Sequence, residues 1–472
     1  MEIVALWTGW LLVWALGVAV IALMRSPPAT PVDAGEVPFL IGCGWFLGQF
    51  VLTLWMRLLS AAGVPFGVMT IGAPVAAVAL VAGWIGARRS RGTGGIAGLL
   101  DGVQSAVRSL GGSSLGGLRR MAWVALLGWN ALRLAILLFE VTIRPLYPWD
   151  AWTQWATKAR VWYAMGTMVP FAGAPEWFAL PTGAAYFDAA PHYPATIPLT
   201  QVWSATLLGQ FDDALVNLPW WLTALALAFA IYGSLRFRRM TPLAALAGAW
   251  IVLSLPILDV HVALAGYADL AMAAYLTLAA VAWLRYADQR SPADLALAVL
   301  LSVACVLIKN PGKAWILTLV PGVAAAFLPR YRLAFAALFV AASAIVAFVL
   351  AQTSLTILGY RTGTGFRMPW RSLAEAYFAF ANWHLLLCGV VAVGLLAWRR
   401  LLHPTLAPLT ITIAAGLVFL AFGFAFTNAG AWVEDQATVN RATLHLAPLL
   451  ALWMILAFHD WSHAPSASAG DN

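Results

Sequence analysis

The chain has 472 residues, of which 62% are hydrophobic and only 10% charged, and it carries 25 tryptophans. No soluble domain of this size covers so much apolar surface, so the composition excludes a water-soluble enzyme and defines a polytopic membrane protein. The formal net charge of +8 would point a soluble protein toward nucleic acid; here the arginines occupy short loops between apolar runs, and membrane topology accounts for them without any nucleic-acid partner.

The apolar runs are continuous rather than alternating, and at roughly twenty residues each they match the thickness of a bilayer as helices, not as strands of a barrel. The expected fold is therefore an all-α bundle. The first three runs fall at 3–24, 37–59 and 67–87. No basic residue precedes the first, which is read as a retained helix rather than a signal peptide. The third leads into Arg88, Arg89 and Arg91, and the Gly- and Ser-rich stretch 88–120 closes on Arg119 and Arg120. By the positive-inside rule that stretch is a cytoplasmic linker, and residues 1–87 form an N-terminal three-helix segment ahead of it.

From Arg120 the next helix, 121–143, must run outward, which delivers Asp150 to the external face and makes 144–195 extracytoplasmic. Residues 195–210 are expected to form an interfacial helix, followed by an inward span at 213–235 that ends at Arg236, Arg238 and Arg239. Spans at 242–260, 267–286, 293–309, 312–328, 332–352, 383–398, 406–426 and 443–459 then alternate, for about thirteen helices. The C-terminus lies in the cytoplasm, and the polar tail 461–472 is expected to be disordered. Cys43, Cys305 and Cys388 all fall within apolar runs with no paired spacing, and they read as small core hydrophobes.

This topology gathers the polar chemistry on one side of the membrane. Asp150, Lys158, Asp188, His192, Asp259, His261, Asp269, Lys309, Lys313, Arg361, Arg367, Arg371, Glu434, Asp435 and Arg441 all face outward. The stretch from Arg144 to Tyr163 sets Asp150 among Trp149, Trp152, Trp155 and Trp162 with Lys158 close by. Two readings apply to it. Either the tryptophans anchor an interfacial helix and Asp150 caps it, or a lone acid beside an aromatic belt does chemistry.

Asp150 in the first large external loop is followed by a His-Tyr-Pro run (192–194), an inward helix ending in arginines, Gly-Tyr-Ala-Asp at 266–269, Lys-Asn-Pro-Gly at 309–312, and Arg441 before a terminal helix. In this order the motifs resemble the GT-C superfamily of polytopic membrane glycosyltransferases, which includes protein O-mannosyltransferases and bacterial aminoarabinose transferases. The resemblance covers 121–460. It implies a transmembrane catalytic domain that takes sugar from a polyprenyl-phosphate donor and passes it to a lipid, glycan or protein acceptor at the periplasmic face of a bacterial inner membrane. Many relatives place a second acid beside the first-loop aspartate, where this chain has Ala151. That leaves the use of a divalent cation, Mg or Mn, undecided, since such ions want several oxygen ligands.

On that resemblance Asp150 is the candidate general base for an acceptor hydroxyl, and Asp269 orients the acceptor or holds a metal; helix capping is the alternative role of both. The departing phosphate calls for cations. Lys309 and Lys313, on either side of a Pro-Gly turn, with Arg361, Arg367 and Arg441, form the candidate phosphate-binding set, joined by Lys158 and His192. The alternatives are snorkelling lysines, headgroup contacts and an ordinary loop histidine. Asp259 and His261 read as a hydrogen-bonded loop pair or a weak cation site. Arg133, inside a span, needs a partner, and Glu140 two turns on is the expected one. Two competing functions are a transporter or lipid flippase, and a glycan polymerase or ligase using a polyprenyl-diphosphate donor.

Overall fold

A bilayer offers no partner to a bare backbone amide or carbonyl, so the apolar runs satisfy their own hydrogen bonds as helices. The computed structural model describes residues 2–25, 35–89, 115–357, 360–362 and 366–463. Most of the expected linker and all of the tail beyond 463 lie outside the described residues. The α-helices are α1 (Glu2–Met24), α2 (Glu36–Ala61), α3 (Ala73–Arg89), α4 (Gly117–Ile143), α5 (Thr157–Met165), α6 (Ala174–Ala179), α7 (Thr196–Leu208), α8 (Leu218–Phe237), α9 (Pro242–Leu253) and α10 (Pro256–Ala263). They continue as α11 (Asp269–Gln289), α12 (Pro292–Ile308), α13 (Gly312–Phe327), α14 (Arg332–Gln352), α15 (Trp370–Ala374), α16 (Leu386–Leu396), α17 (Ala407–Phe426), α18 (Ala437–Leu444) and α19 (Ala447–Ser462). Two-residue strands make a parallel pair, Phe171–Ala172 with Tyr186–Phe187, and an antiparallel one, Thr356–Ile357 with Tyr360–Arg361.

Every expected span is helical, but the lengths are unequal. Among the described residues eight helices are long and apolar enough to cross a membrane, and up to ten if each of two bent pairs counts as one span. The bent pairs are α9 with α10, at 64°, and α18 with α19, at 58°. Helices α12, α13 and α16 are shorter than a full crossing. The described residues are thus mostly helical, with helices compatible with a polytopic membrane protein, and the count of thirteen spans is finer than these lengths establish.

Contacts divide the chain into two compact units. The first comprises Met1–Ser254, Leu258–Ala279 and Ser291–Gly312. Its interior is built on glycine. A Cβ at Gly17 would run into the carbonyl of Gly44, one at Gly48 into that of Val13, and one at Gly42 would press on the backbone of Ala226 and Ala230. Helix α2 therefore lies backbone to backbone with α1 on one side and α8 on the other. Gly44 and Gly48 form a G-x-x-x-G pair, the spacing that lets membrane helices approach closely. The three N-terminal helices, outside the resemblance, are integral to this unit.

The same unit has two chemically distinct ends. At one, Arg25 pairs with Glu36 and with Asp294, Arg89 donates to the carbonyl of Leu23, and Gly35 abuts Gly233 and Arg236. Helices α1, α3 and α8 finish there, and α2 and α12 begin there. At the other, Arg57 near the end of α2 donates to Thr196, whose hydroxyl donates to the carbonyl of Leu307 near the end of α12. Within the unit α1, α3 and α8 therefore run one way, and α2 and α12 the other.

The second unit comprises Leu255–Ile257, Ala280–Arg290 and Lys313–Asn472. Gly322 abuts Pro408 and Thr412, joining α13 to α17, and the indole of Trp315 donates to Nδ1 of His445 at 3.0 Å. At one end of this unit Arg332 donates to the carbonyl of Leu402 and Arg400 pairs with Asp460. Cys43 and Cys305 are buried as expected of core residues, but Cys388 is exposed. On the short helix α16 it faces outward, where an apolar thiol is as much at ease as in the core.

Replacing Gly48 with leucine is expected to separate α1 from α2. The obstructing atoms are backbone and have no rotamer in which to move aside, so the loss should meet or exceed the ~1–3 kcal/mol typical of overpacking. Thermal unfolding in detergent checks this; Gly83→Leu, at a position with open space around it, serves as the control.

Candidate functional site

Asp150 opens a π-helical turn, Ala151–Ala156, that runs into α5, and its side chain makes no capping hydrogen bond to that turn. The capping explanation for this acid is therefore absent from the structure. It is half-buried. π-Turns change which side chains share a face, and they recur at functional sites. Here the change separates the tryptophans: Trp155 and Trp162 are buried, whereas Trp149 and Trp152 project with their rings edge to face at 5.6 Å.

The Gly-Tyr-Ala-Asp loop lies directly against this turn. Gly266 has a φ of +106°, open to glycine, and a Cβ there would come within 2.7 Å of Cβ of Ala151 and 2.8 Å of the Leu146 side chain. Glycine is required on both counts, conformation and space. The loop is held from behind by Trp220, whose indole donates to the carbonyl of Tyr267 at 2.8 Å.

Asp269, first residue of α11, is fully buried and pairs with the Lys309 ammonium at 2.5 Å. Two residues before Lys309, the carbonyl of Leu307 accepts from Thr196 at 2.6 Å. Three residues before Thr196, Tyr193 packs on Trp155 with ring centroids 5.0 Å apart. A closed circuit of contacts thus joins the Asp150 turn, the Gly266–Asp269 loop, the Lys309 turn and the His192–Pro194 run, all at the end of the first unit opposite Arg25, Arg89 and Arg236. His192 is exposed and stacked on Tyr193.

Lys158 lies nearby but faces inward. It is 1% exposed, its ammonium pairs with Asp188 at 2.7 Å, and it donates to the carbonyl of Ala190 at 2.8 Å. Burial pushes its pKa below the usual lysine range, against the opposing pull of Asp188. Its role in this structure is to tie down the 188–190 turn that precedes His192. Arg57 and Thr196, the link between α2 and this circuit, were missed by sequence reasoning; an arginine near the end of the apolar run 37–59 was the available signal.

Two expected pairings are corrected. Arg133 does not reach Glu140. Its guanidinium pairs with Asp259 and donates through Nε to the carbonyl of Leu253 at 3.0 Å, while Glu140 pairs with Arg144 one turn on. Four residues along a helix put two side chains side by side, and seven do not when a better partner comes from another helix. The expected Asp259 and His261 pair is likewise divided, with Asp259 on Arg133 and the buried His261 ring near Tyr267 at 5.5 Å. A groove of about 370 Å³ opens between α4 and α10, lined by Trp129, Arg133, Ile136, Glu140, Asp259 and Leu264 among others.

The remaining candidates belong to the second unit. Lys313, Arg361 and Arg367 are exposed there, and Arg441 is half-buried. The backbone amide of Arg361 donates to Asn428, and that of Arg367 to the carbonyl of Ala425. Burial raises the Tyr360 hydroxyl above the usual tyrosine range while the charge of Arg441 pulls it down, which places Arg441 near the 360–361 strand. Arg371 pairs with Glu375. Among the described residues no three of His, Cys, Asp and Glu converge in the manner of metal ligands.

Comparison with protein-family models, with curated proteins and with solved structures returns no match.

Lys158→Met leaves the buried Asp188 carboxylate without its cation, and removing one partner of such a pair costs about 3–5 kcal/mol. A lowered unfolding midpoint in detergent is expected. The double variant Lys158→Met with Asp188→Leu should recover much of the loss, as scanning calorimetry of both will report.

Proposed function

We propose that this protein is a membrane glycosyltransferase of GT-C type, transferring a sugar with inversion from a polyprenyl-phosphate donor to an acceptor hydroxyl at the extracytoplasmic face of a bacterial inner membrane. The observation that carries the reading is the convergence of four separate stretches, each nominated from the sequence, on one end of the first unit. Chemistry confined to one face suits a reaction in which a lipid-borne donor and an external acceptor meet at a membrane surface. The reading includes thirteen spans, with α12, α13 and α16 and both bent pairs counted as crossings.

In this reading Asp150 accepts the proton of the attacking hydroxyl as the new bond to the anomeric carbon forms. The bond from that carbon to the phosphate oxygen breaks, and polyprenyl phosphate leaves as a stable anion. Asp269, buried against Lys309, acts through that lysine rather than on the acceptor. Lys309 is assigned to the phosphate. Trp149 and Trp152 offer exposed aromatic faces to a sugar. A divalent Mg or Mn ion at Asp150 would have to complete its shell from water and the donor phosphate, and no step requires it.

A specific observation favours a second reading, a lipid or solute carrier. The α9/α10 break, with the Arg133 and Asp259 charges beside it, has the form of the discontinuous helices from which carriers build binding sites.

Transfer from a radiolabelled polyprenyl-phosphate sugar by purified protein in liposomes separates the two. Asp150→Asn is expected to lower kcat by about 10²–10⁴-fold, the range for loss of a general base, with the unfolding midpoint unchanged. Retention of full transfer by that variant removes the assignment of the base. Movement of the labelled lipid across the bilayer without transfer would favour the carrier.

A further inference from the structure

The break between α9 and α10 exposes two kinds of backbone end at once. The last carbonyls of α9 lack partners within their own helix and carry the negative end of its dipole, while the first turn of α10 carries the positive end. Pro256, with no N–H, opens α10. In the wet part of a protein water would serve both ends. Arg133 sits ten residues before the end of α4 at Ile143, about 15 Å along the helix axis at 1.5 Å per residue, well inside the span.

Its guanidinium meets both ends. Nε donates to the carbonyl of Leu253, the last residue of α9, and the terminal nitrogen pairs with Asp259 in the first turn of α10. Each contact is favoured by the dipole it touches: a cation at a helix C-terminus, an acid near a helix N-terminus. The planar fork of arginine is suited to two acceptors in different directions, whereas lysine offers a single point charge.

We propose that Arg133 is a positioning residue that staples the two halves of the broken helix and so sets the bend between them. The bend matters because α10 leads within three residues to Gly266, which has no room to shift against Ala151, and then to Asp269, which holds Lys309. The staple thereby fixes where the second loop meets the turn that begins at Asp150. Its service to sugar transfer rests on the function proposed above; its hold on the bend does not.

Two measurements test the proposal separately. Nitroxide labels at Ala244→Cys on α9 and Val260→Cys on α10, in a Cys388→Ser background, report the bend by pulsed EPR; Cys43 and Cys305 are buried and take no label. A narrow distance distribution is expected with Arg133 present, and a broadened or shifted one in Arg133→Gln. Arg133→Lys, able to satisfy one acceptor at a time, should fall between. In the transfer assay Arg133→Gln should lose about 10²-fold in kcat, the scale of an ångström-sized misplacement, with donor KM within about twofold.

An unchanged distance distribution in Arg133→Gln overturns the staple. A loosened bend with unchanged kcat overturns its positioning role. Should Arg133→Gln fail to give a monodisperse protein, Asp259→Asn and Arg133→Lys carry the same two readouts and the same criteria. If Asp150→Asn retains transfer, the proposed chemistry falls, and the EPR result stands on its own.

Discussion

Charges removed from water must be paired, and in the first unit three such pairs hold the loop end together: Lys158 with Asp188, Lys309 with Asp269, and Arg133 with Asp259. A lone charge at membrane depth costs several kcal/mol, whereas a pair with satisfied hydrogen bonds roughly offsets its desolvation. The pairs therefore add little net stability; what they specify is geometry. Each joins segments far apart in sequence, and each fixes a loop that carries a nominated residue. Lys158 fixes the turn before His192, Asp269 fixes Lys309, and Arg133 fixes the approach to Gly266.

The glycine contacts do the complementary work at the level of whole helices. Without a hydrophobic drive between helices in lipid, close association depends on dispersion and on backbones that can touch. Gly17, Gly44 and Gly48 bring α1 against α2, and Gly42 brings α2 against α8. That packing draws the N-terminal helices into the unit that holds Asp150, and Arg57 extends the link to Thr196. The three helices outside the resemblance thus support the candidate site as part of its frame.

Much of this was legible in the sequence, because hydropathy and the arginine clusters are properties of single segments. The runs became helices close to their expected bounds. Partners were less legible. Arg133 took an acid 126 residues further along the chain in preference to Glu140 on its own helix, and hydropathy says nothing of that. Lys158 looked like a surface cation and is buried. The four tryptophans around Asp150 were alike in sequence; a π-turn, which no residue pattern announced, buried Trp155 and left Trp149 and Trp152 exposed. Helices α12, α13 and α16 satisfied the hydropathy of a span without its length.

The broken helix bears on both functional readings, and its details distinguish them. A carrier needs its discontinuous segment to rock or unwind, so the ends at the break should be served by partners that exchange easily, such as ions or substrate. Here one guanidinium serves both ends, one through a neutral carbonyl and the other through a carboxylate. Moving either half would strand a charge or a carbonyl inside the span, at a cost comparable to breaking a buried pair. A break closed in this way favours a fixed angle over a travelling one. Fixed angles are what a catalyst asks of the loops that carry its acid and its cations, because a misplacement of an ångström is already costly to rate. On physical grounds the feature that most resembles a carrier is therefore better matched to the demands of a transferase.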